Sequence, residues 1–341
     1  MKRREFVKTM GAGAVGASML SSGCATEDHV CPVPLFRDPV YDGPCDPQII
    51  WNHNAREWWI FYTGRRSTLE GGATWYACSI GVAASKDGRE WRHLGYCKFD
   101  GVGGTADMPD TYWAPGIVRD GDTYHMFVTL LPGHPEPFTG IANIVHCTAE
   151  GDLLNNWKTV GPMPLEERII DATILKIGNE WRMWHKLRSQ TNLLVSPDLY
   201  QWEDRGLVKG DVNSEPNHEA PYAFEWKGYY WLITDPHQGM PIYRSKDTEV
   251  WTEAGWLLVE PGTRPFDDSR GRHCSVAVSG GRAFMFYHVE PNRRYDLRLP
   301  ATERPVENKW SVLQAVELEY NDGNVSCDRN KVFDLYLPPG E

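Results

Sequence analysis

Along most of the chain the apolar residues come in short runs of five to nine, too brief for helices and broken by Asn, Gly and Asp at turn positions. The runs come in pairs. A first apolar strand leads through a turn to a second strand rich in aromatics, and this unit recurs five times. The pairs are 46–51 with 58–62, 114–118 with 124–128, 171–175 with 181–184, 220–224 with 229–233, and 273–278 with 283–287. No segment of convincing length carries the 3.6-residue period of a helix.

Each pair is followed by a second mark. Ser85 to Trp91, Ser196 to Trp202 and Ser245 to Trp251 all read Ser-x-Asp-x-x-x-Trp, with looser copies ending at Trp157 and Trp310. Successive Trp residues stand 45 to 66 positions apart. Repeats of roughly 40–50 residues with four strands each mark propeller blades, so the pattern predicts an all-β, five-bladed β-propeller of four-stranded antiparallel blades. The five Trp residues are then expected to pack between sheets.

Composition narrows the picture. The 341 residues carry 35 Lys and Arg against 46 Asp and Glu, a net charge of −11 that offers no stripe for nucleic acid and favours an uncharged partner such as a sugar. Ten of the 15 Trp remain after the blade markers, available for stacking on flat rings. Residues 1–24 read as an export address: Lys2-Arg3-Arg4-Glu5-Phe6 resembles a twin-arginine signal, and Leu20-Ser21-Ser22-Gly23-Cys24 a lipoprotein processing site. The expectation is an exported bacterial protein, periplasmic or at the cell surface, with Cys24 as a lipid anchor. No run is long enough to span a membrane. Residues 25–35 are expected as a linker and 36–341 as one catalytic domain. The eight cysteines form no C-x-x-C, and Cys78 with Cys97 is a candidate bridge.

In a propeller the first strand of each blade lines the channel, and its first residues meet at one mouth. Asp46, Asp171, Glu219 and His273 all stand at or beside such starts. Three converging carboxylates repel one another and raise at least one pKa, a mark of function. Glycoside hydrolysis uses such a set, one carboxyl donating a proton to the leaving oxygen while another activates water. The second strands return to the same mouth, so their exits, containing Arg65, Leu130 to His134, His185, His237 and His288, are expected to line sugar subsites together with Arg272. These exits are polar and basic, a match for a carboxylated or sulfated glycan. Trp51, Tyr112 and Trp113 are candidate stacking platforms.

The motifs resemble those of glycoside hydrolase family 43 and its five-bladed relatives, over nearly the whole mature chain. Asp46-Pro47 resembles the general-base motif, with Arg37-Asp38-Pro39 as a competitor, and Trp113-Ala114-Pro115 the second-blade motif. Asp171-Ala172-Thr173 resembles the motif of the pKa modulator with Ala in place of Pro. Glu219-Ala220-Pro221 resembles the general-acid motif. The resemblance implies an inverting mechanism with Asp46 as base and Glu219 as acid, acting on plant or algal oligosaccharides with no required cofactor. It also implies a water or structural calcium near His273 on the axis. His218 beside Glu219 resembles the neoagarobiose-hydrolase branch, where such a histidine has been considered as the acid, and implies an α-1,3-anhydro-L-galactosidase as the alternative. A silent glycan-binding propeller is the reading from another class. Sialidase is disfavoured because the Ser-x-Asp turns lack its spaced Gly, and the fructan-cleaving relatives because Ala follows Glu219.

Overall fold

The computed structural model describes residues 29–69, 75–100, 110–133, 142–165, 168–214, 217–293, 303 and 305–340; the signal segment, Cys24 and His134 lie outside them. Five sheets follow one another along the chain, antiparallel throughout except for two short outer strands that pair in parallel. Blade 1 comprises β1 (Pro44–Asn52), β2 (Glu57–Gly64), β3 (Ser79–Ser85) and β4 (Arg92–Tyr96). The short β5 (Phe99–Asp100) joins blade 2, formed by β6 (Thr111–Asp120), β7 (Thr123–Leu131), β8 (Asn143–Ala149) and β9 (Trp157–Pro162). Blade 3 is β10 (Ile169–Ile177), β11 (Glu180–Leu187), β12 (Gln190–Ser196) and β13 (Glu203–Leu207). The short β14 (Lys209–Gly210) joins blade 4, formed by β15 (Tyr222–Trp226), β16 (Tyr229–Ile233), β17 (Met240–Ser245) and β18 (Val250–Leu257). Blade 5 is β19 (Gly271–Ser279), β20 (Arg282–Val289), β21 (Val312–Asn321) and β22 (Asn324–Cys327). The expected five-bladed propeller is what the chain forms, and among the described residues helical backbone is confined to short 3-10 turns such as Asp211–Asn213 and Val306–Asn308.

Inner strands are covered on both faces by neighbouring blades. All eight residues of β2 are buried, whereas the outer β13 is almost wholly exposed. That is why the aromatic strands read as continuous apolar runs and the outer strands do not.

The Ser-x-Asp turns join the third strand to the fourth. The Ser hydroxyl accepts from the backbone N–H three residues on, at Gly88, Leu199 and Thr248 (2.8–2.9 Å), all three of which have positive φ. The following Trp is thereby aimed at an aromatic of the preceding blade: Trp91 at Phe286 (6.4 Å between centroids), Trp157 at Phe61 (6.2 Å), Trp202 at Phe127 (5.4 Å) and Trp251 at Trp184 (5.8 Å). Such pairs contribute about 0.5–1.5 kcal/mol beyond their burial. Trp310 departs from this plan. It precedes the third strand of blade 5 and lies under the guanidinium of Arg37 (5.2 Å), while Tyr320 meets Trp231 at the fifth interface (6.3 Å).

The ring closes through both chain ends. Cys31 and Leu35 donate backbone hydrogen bonds to Phe333 and Leu313, and Leu337 donates to Asp87 of blade 1. The described part of the expected 25–35 linker is therefore packed into the propeller, with Cys31 and Leu35 buried. Cys78 and Cys97 are buried thiols, and the expected disulfide between them does not form.

Candidate active site

Every first strand begins with an irregularity at the same place. The residues Asp46, Ala114, Asp171, Ala220 and His273 all have φ between 34° and 60°. Ladder register slips around four of them, between Cys45 and Gln48, Trp113 and Gly116, Ile170 and Thr173, and Arg272 and Cys274. Left-handed backbone at a non-glycine costs on the order of 1–3 kcal/mol. The next residue is Pro47, Pro115 or Pro221 in three blades, consistent with a bulge position that asks no ladder hydrogen bond of it.

The N–H of each bulged residue is received by a side chain. Thr63 Oγ1 accepts from Ala114 (2.8 Å), Thr129 Oγ1 from Asp171 (3.1 Å), Asp235 Oδ2 from His273 (3.3 Å) and His288 Nδ1 from Asp46 (3.2 Å), which closes the circle from blade 5 to blade 1. The acceptors hold one equivalent position, at the mouth end of the second strand. On β11 that position is Lys186, paired with Ile170, and an ammonium cannot accept. Here Asp171 Oδ2 takes the Ala220 N–H instead (3.2 Å), and Lys186 Nζ turns to Glu219 Oε1 (2.5 Å).

The expected acids do converge, and His273 lies between two of them. Its Nδ1 stands 2.8 Å from Asp46 Oδ1 as an ion-pair contact outside hydrogen-bond alignment, and its Nε2 stands 3.4 Å from Glu219 Oε2. Glu219 Oε2 also meets His237 Nε2 (3.0 Å) and Arg272 Nη2 (3.5 Å). Arg272 is anchored from behind by Asp235 (3.1 Å).

Charge states follow from these contacts. Burial alone would raise the carboxyl of Asp46, but His273 outweighs it and holds the group well below the usual range. For His273 burial opposes protonation, and Asp46 and Glu219 overcome it, so the ring is an imidazolium. Glu219 is pulled well below its ordinary value against burial by His237, His273 and Lys186. Asp171 goes the other way. Burial, with Glu219 and Asp46 nearby, pushes it up to about 6 although His273 and Lys186 pull down. His288 is kept neutral by burial first and by Arg65 next, which agrees with its Nδ1 accepting the Asp46 N–H.

Several expected residues lie elsewhere. Trp51 sits at the far end of β1 from Asp46, buried against Trp58 (5.6 Å), so core packing and not sugar stacking is its place. Tyr112 is stacked on Phe99 (4.4 Å). Trp113 remains beside the mouth, partly exposed, with its indole N–H on the Trp75 carbonyl (2.7 Å). Arg65 is buried and paired with Glu290 (2.6 Å). His185 is buried with neither ring nitrogen hydrogen-bonded, and burial takes it down to about 4. A one-residue step along β11 turns a side chain to the other face, so it is Lys186 that reaches Glu219. His218 is likewise buried, without a hydrogen bond to its ring, and lowered to about 4 by burial; nothing brings it to Glu219's carboxylate. Asp38, the competing base, is buried under the hydroxyls of Tyr62 (2.8 Å) and Tyr96 (2.7 Å), a structural clasp.

Lys186 and Asp235 belong to the strand exits expected to line the subsites, where nothing in the local sequence assigns either a role of its own. Both stand in the strand-exit runs, and their shared register with Thr63, Thr129 and His288 is the signal that separates them from their neighbours.

A calcium ion at His273 does not fit this donor set. Calcium takes six to eight oxygen ligands, whereas both nitrogens of His273 face carboxylates and the ring is cationic. Among the described residues no group of three or more His, Cys, Asp or Glu is arranged to hold a metal.

No family model matches the sequence, and no curated protein matches it in sequence. The fold is shared with solved glycoside hydrolases. A thermostable family-43 glycoside hydrolase superposes with a TM-score of 0.61 at 14% identity, over 90% of this chain and 99% of that one. A family-43 β-xylosidase/α-arabinofuranosidase from a compost microbial metagenome, solved with xylotriose, gives 0.63 at 14% identity over 86% and 96%. The family-32 β-fructofuranosidase of Bombyx mori gives 0.60 at 15% identity over 88% and 64%. The chain therefore has the five-bladed propeller fold on which these enzymes are built.

Proposed function

We propose that the protein is a glycoside hydrolase that cleaves terminal sugars from oligosaccharides by inversion, with Asp46 as general base and Glu219 as general acid. The observation that carries this reading is the placement of the two carboxylates on opposite sides of a single imidazole ring, each in contact with it. Inverting pairs are separated by roughly 6.5–9.5 Å, and an imidazole with a contact on either side is a spacer of that order. Asp46 is ionised, the state a general base requires. Asp171 lies beside both acids in the electrostatic sense and binds the Ala220 N–H, so it orients the segment carrying Glu219.

Inner strands of three blades are also tied together through one tyrosine. Tyr222 of blade 4 reaches the Val276 carbonyl of blade 5 (3.2 Å) and the side chain of Gln48 of blade 1. Export with a lipid anchor at Cys24 belongs to the same reading, since polysaccharide fragments are met outside the cytoplasm.

The test is a screen of the mature protein on aryl glycosides and on plant and algal oligosaccharides, with proton NMR of the anomer first released. Turnover lost in both Asp46→Asn and Glu219→Gln, with inverted product, is the expected result. Unchanged turnover in both variants refutes the assignment, and binding without turnover by the wild type favours a glycan-binding propeller.

A further inference from the structure

A general acid must carry a proton, yet Glu219 is surrounded by groups that hold it as a carboxylate. Lys186 contacts one oxygen, and His237, His273 and Arg272 contact the other. Three of these partners have further contacts: His273 with Asp46, Arg272 with Asp235, and His237 with Arg272 (3.3 Å). Lys186 is different. It occupies the one ring position where the other blades place an acceptor, and the backbone N–H it leaves is already received by Asp171. Its ion pair with Glu219 is thus not needed to close the ring. His237, the most exposed of the four at 38%, stands on the open side of the same carboxylate.

Resting on the glycosidase reading, we infer that the substrate is an acidic glycan, whose carboxylate or sulfate is received by Lys186 and His237 in place of Glu219. The physical reason is exchange of partners. An anion of the substrate takes over the ammonium and the imidazole, and its own negative charge beside Glu219 then favours the protonated acid. Freed of these partners, Glu219 takes up a proton from the solvent that reaches its open side and donates it to the glycosidic oxygen, so the acid is loaded only when the correct sugar is present. A neutral sugar brings no such group and leaves Glu219 paired, so selectivity arises at the proton donor itself.

The experiment compares matched ligands. Initial rates are measured on aryl glycosides of a uronic acid and of the corresponding neutral hexose, and on sulfated and desulfated oligosaccharides of one backbone. Binding of the same compounds is followed by calorimetry in wild type, Lys186→Met and Lys186→Arg. The expected result is a kcat/KM at least 100-fold higher for one acidic member over its neutral partner. Lys186→Met should reduce that ratio at least 30-fold, and Lys186→Arg should restore part of it, which a merely structural lysine would not do. The uronate and sulfate arms identify the anion. Faster cleavage of the neutral members overturns the inference and leaves the glycosidase reading standing. Lys186-dependent binding of an acidic glycan without turnover of any substrate upholds the anion site alone and removes the hydrolase reading, and with it the release of Glu219 as a proton donor. Equal binding of acidic and neutral members overturns the inference.

Discussion

Two carboxylates in this protein are each surrounded by cations, and they are built differently. Asp267 is fully buried, gripped by Arg264 (2.8 Å) and Arg329 and by the Tyr287 hydroxyl (3.0 Å). Its arginines are tied to backbone as well, Arg264 to the Ala315 carbonyl (3.1 Å) and Arg329 to that of Glu260 (2.9 Å). Nothing there can move without orphaning a buried charge, and the cluster joins the loop before blade 5 to its strands. Glu219 has four partners to the three of Asp267, but 23% of its side chain is open to the mouth, and Lys186 and His237 approach from sides where they can be exchanged. Similar pairing chemistry thus makes a clamp in one place and a responsive site in the other. The difference is access.

The largest effect expected at the open site is catalytic. Glu219→Gln should lower kcat by about 10²–10⁴, the usual contribution of a positioned proton donor, with the urea midpoint nearly unchanged. At the closed site the effect should be on stability. Arg329→Met leaves Asp267 with one fewer cation in a dry place, and breaking such pairs costs about 3–5 kcal/mol, read as a shift in the urea midpoint. Should Arg329→Met alter acidic-glycan selectivity while sparing stability, the contrast between the two clusters would collapse.

A third measurement concerns buried imidazoles away from the acids. His146, stacked on Phe127 and touching His125 (2.9 Å), is taken down to about 3 by burial first and by His125 next, and His185 and His218 to about 4 by burial. The unfolded chain binds protons below about pH 6.5 that these folded rings refuse. Stability is therefore fully present above pH 6.5 and is lost as pH falls toward 4 and then 3. The slope is up to about 1.4 kcal/mol per pH unit for each ring. His146→Phe should shallow the acid side of the stability profile by one proton, and an unchanged slope would remove this account. The smallest effect is expected at the ring of acceptors. Thr63→Val orphans the Ala114 N–H and should cost about 1–3 kcal/mol, toward the lower end if water reaches the group, as measured by thermal unfolding.

Repeat units were legible because a propeller buries each blade against copies of itself, so the same strand pattern must recur. Three of the five marker tryptophans follow from the Ser-x-Asp turn alone, and Trp157 from a looser copy that keeps the capping Asp152. Trp310 was misplaced because the loop before β21 imitates that turn's end without its Ser or its position between strands. The acids were legible too, since the bulge that starts each inner strand stands at a fixed place in the repeat. What periodicity could not resolve was facing: His185 against Lys186 is a single step, and a single step in a strand exchanges core for mouth.

From its sequence alone the chain determined five blades, the positions of Asp46, Asp171, Glu219 and His273 at strand starts, and an acidic balance with basic strand exits. These are local facts, set by hairpin chemistry and repeat spacing. Tertiary structure decided which charges meet. Partners of Glu219 come from blades 3, 4 and 5, and the ring of backbone donors closes only when blade 5 returns to blade 1. Coulomb interaction depends on distance through the folded molecule and not along the chain, which is why the protonation of these acids was fixed only by the fold.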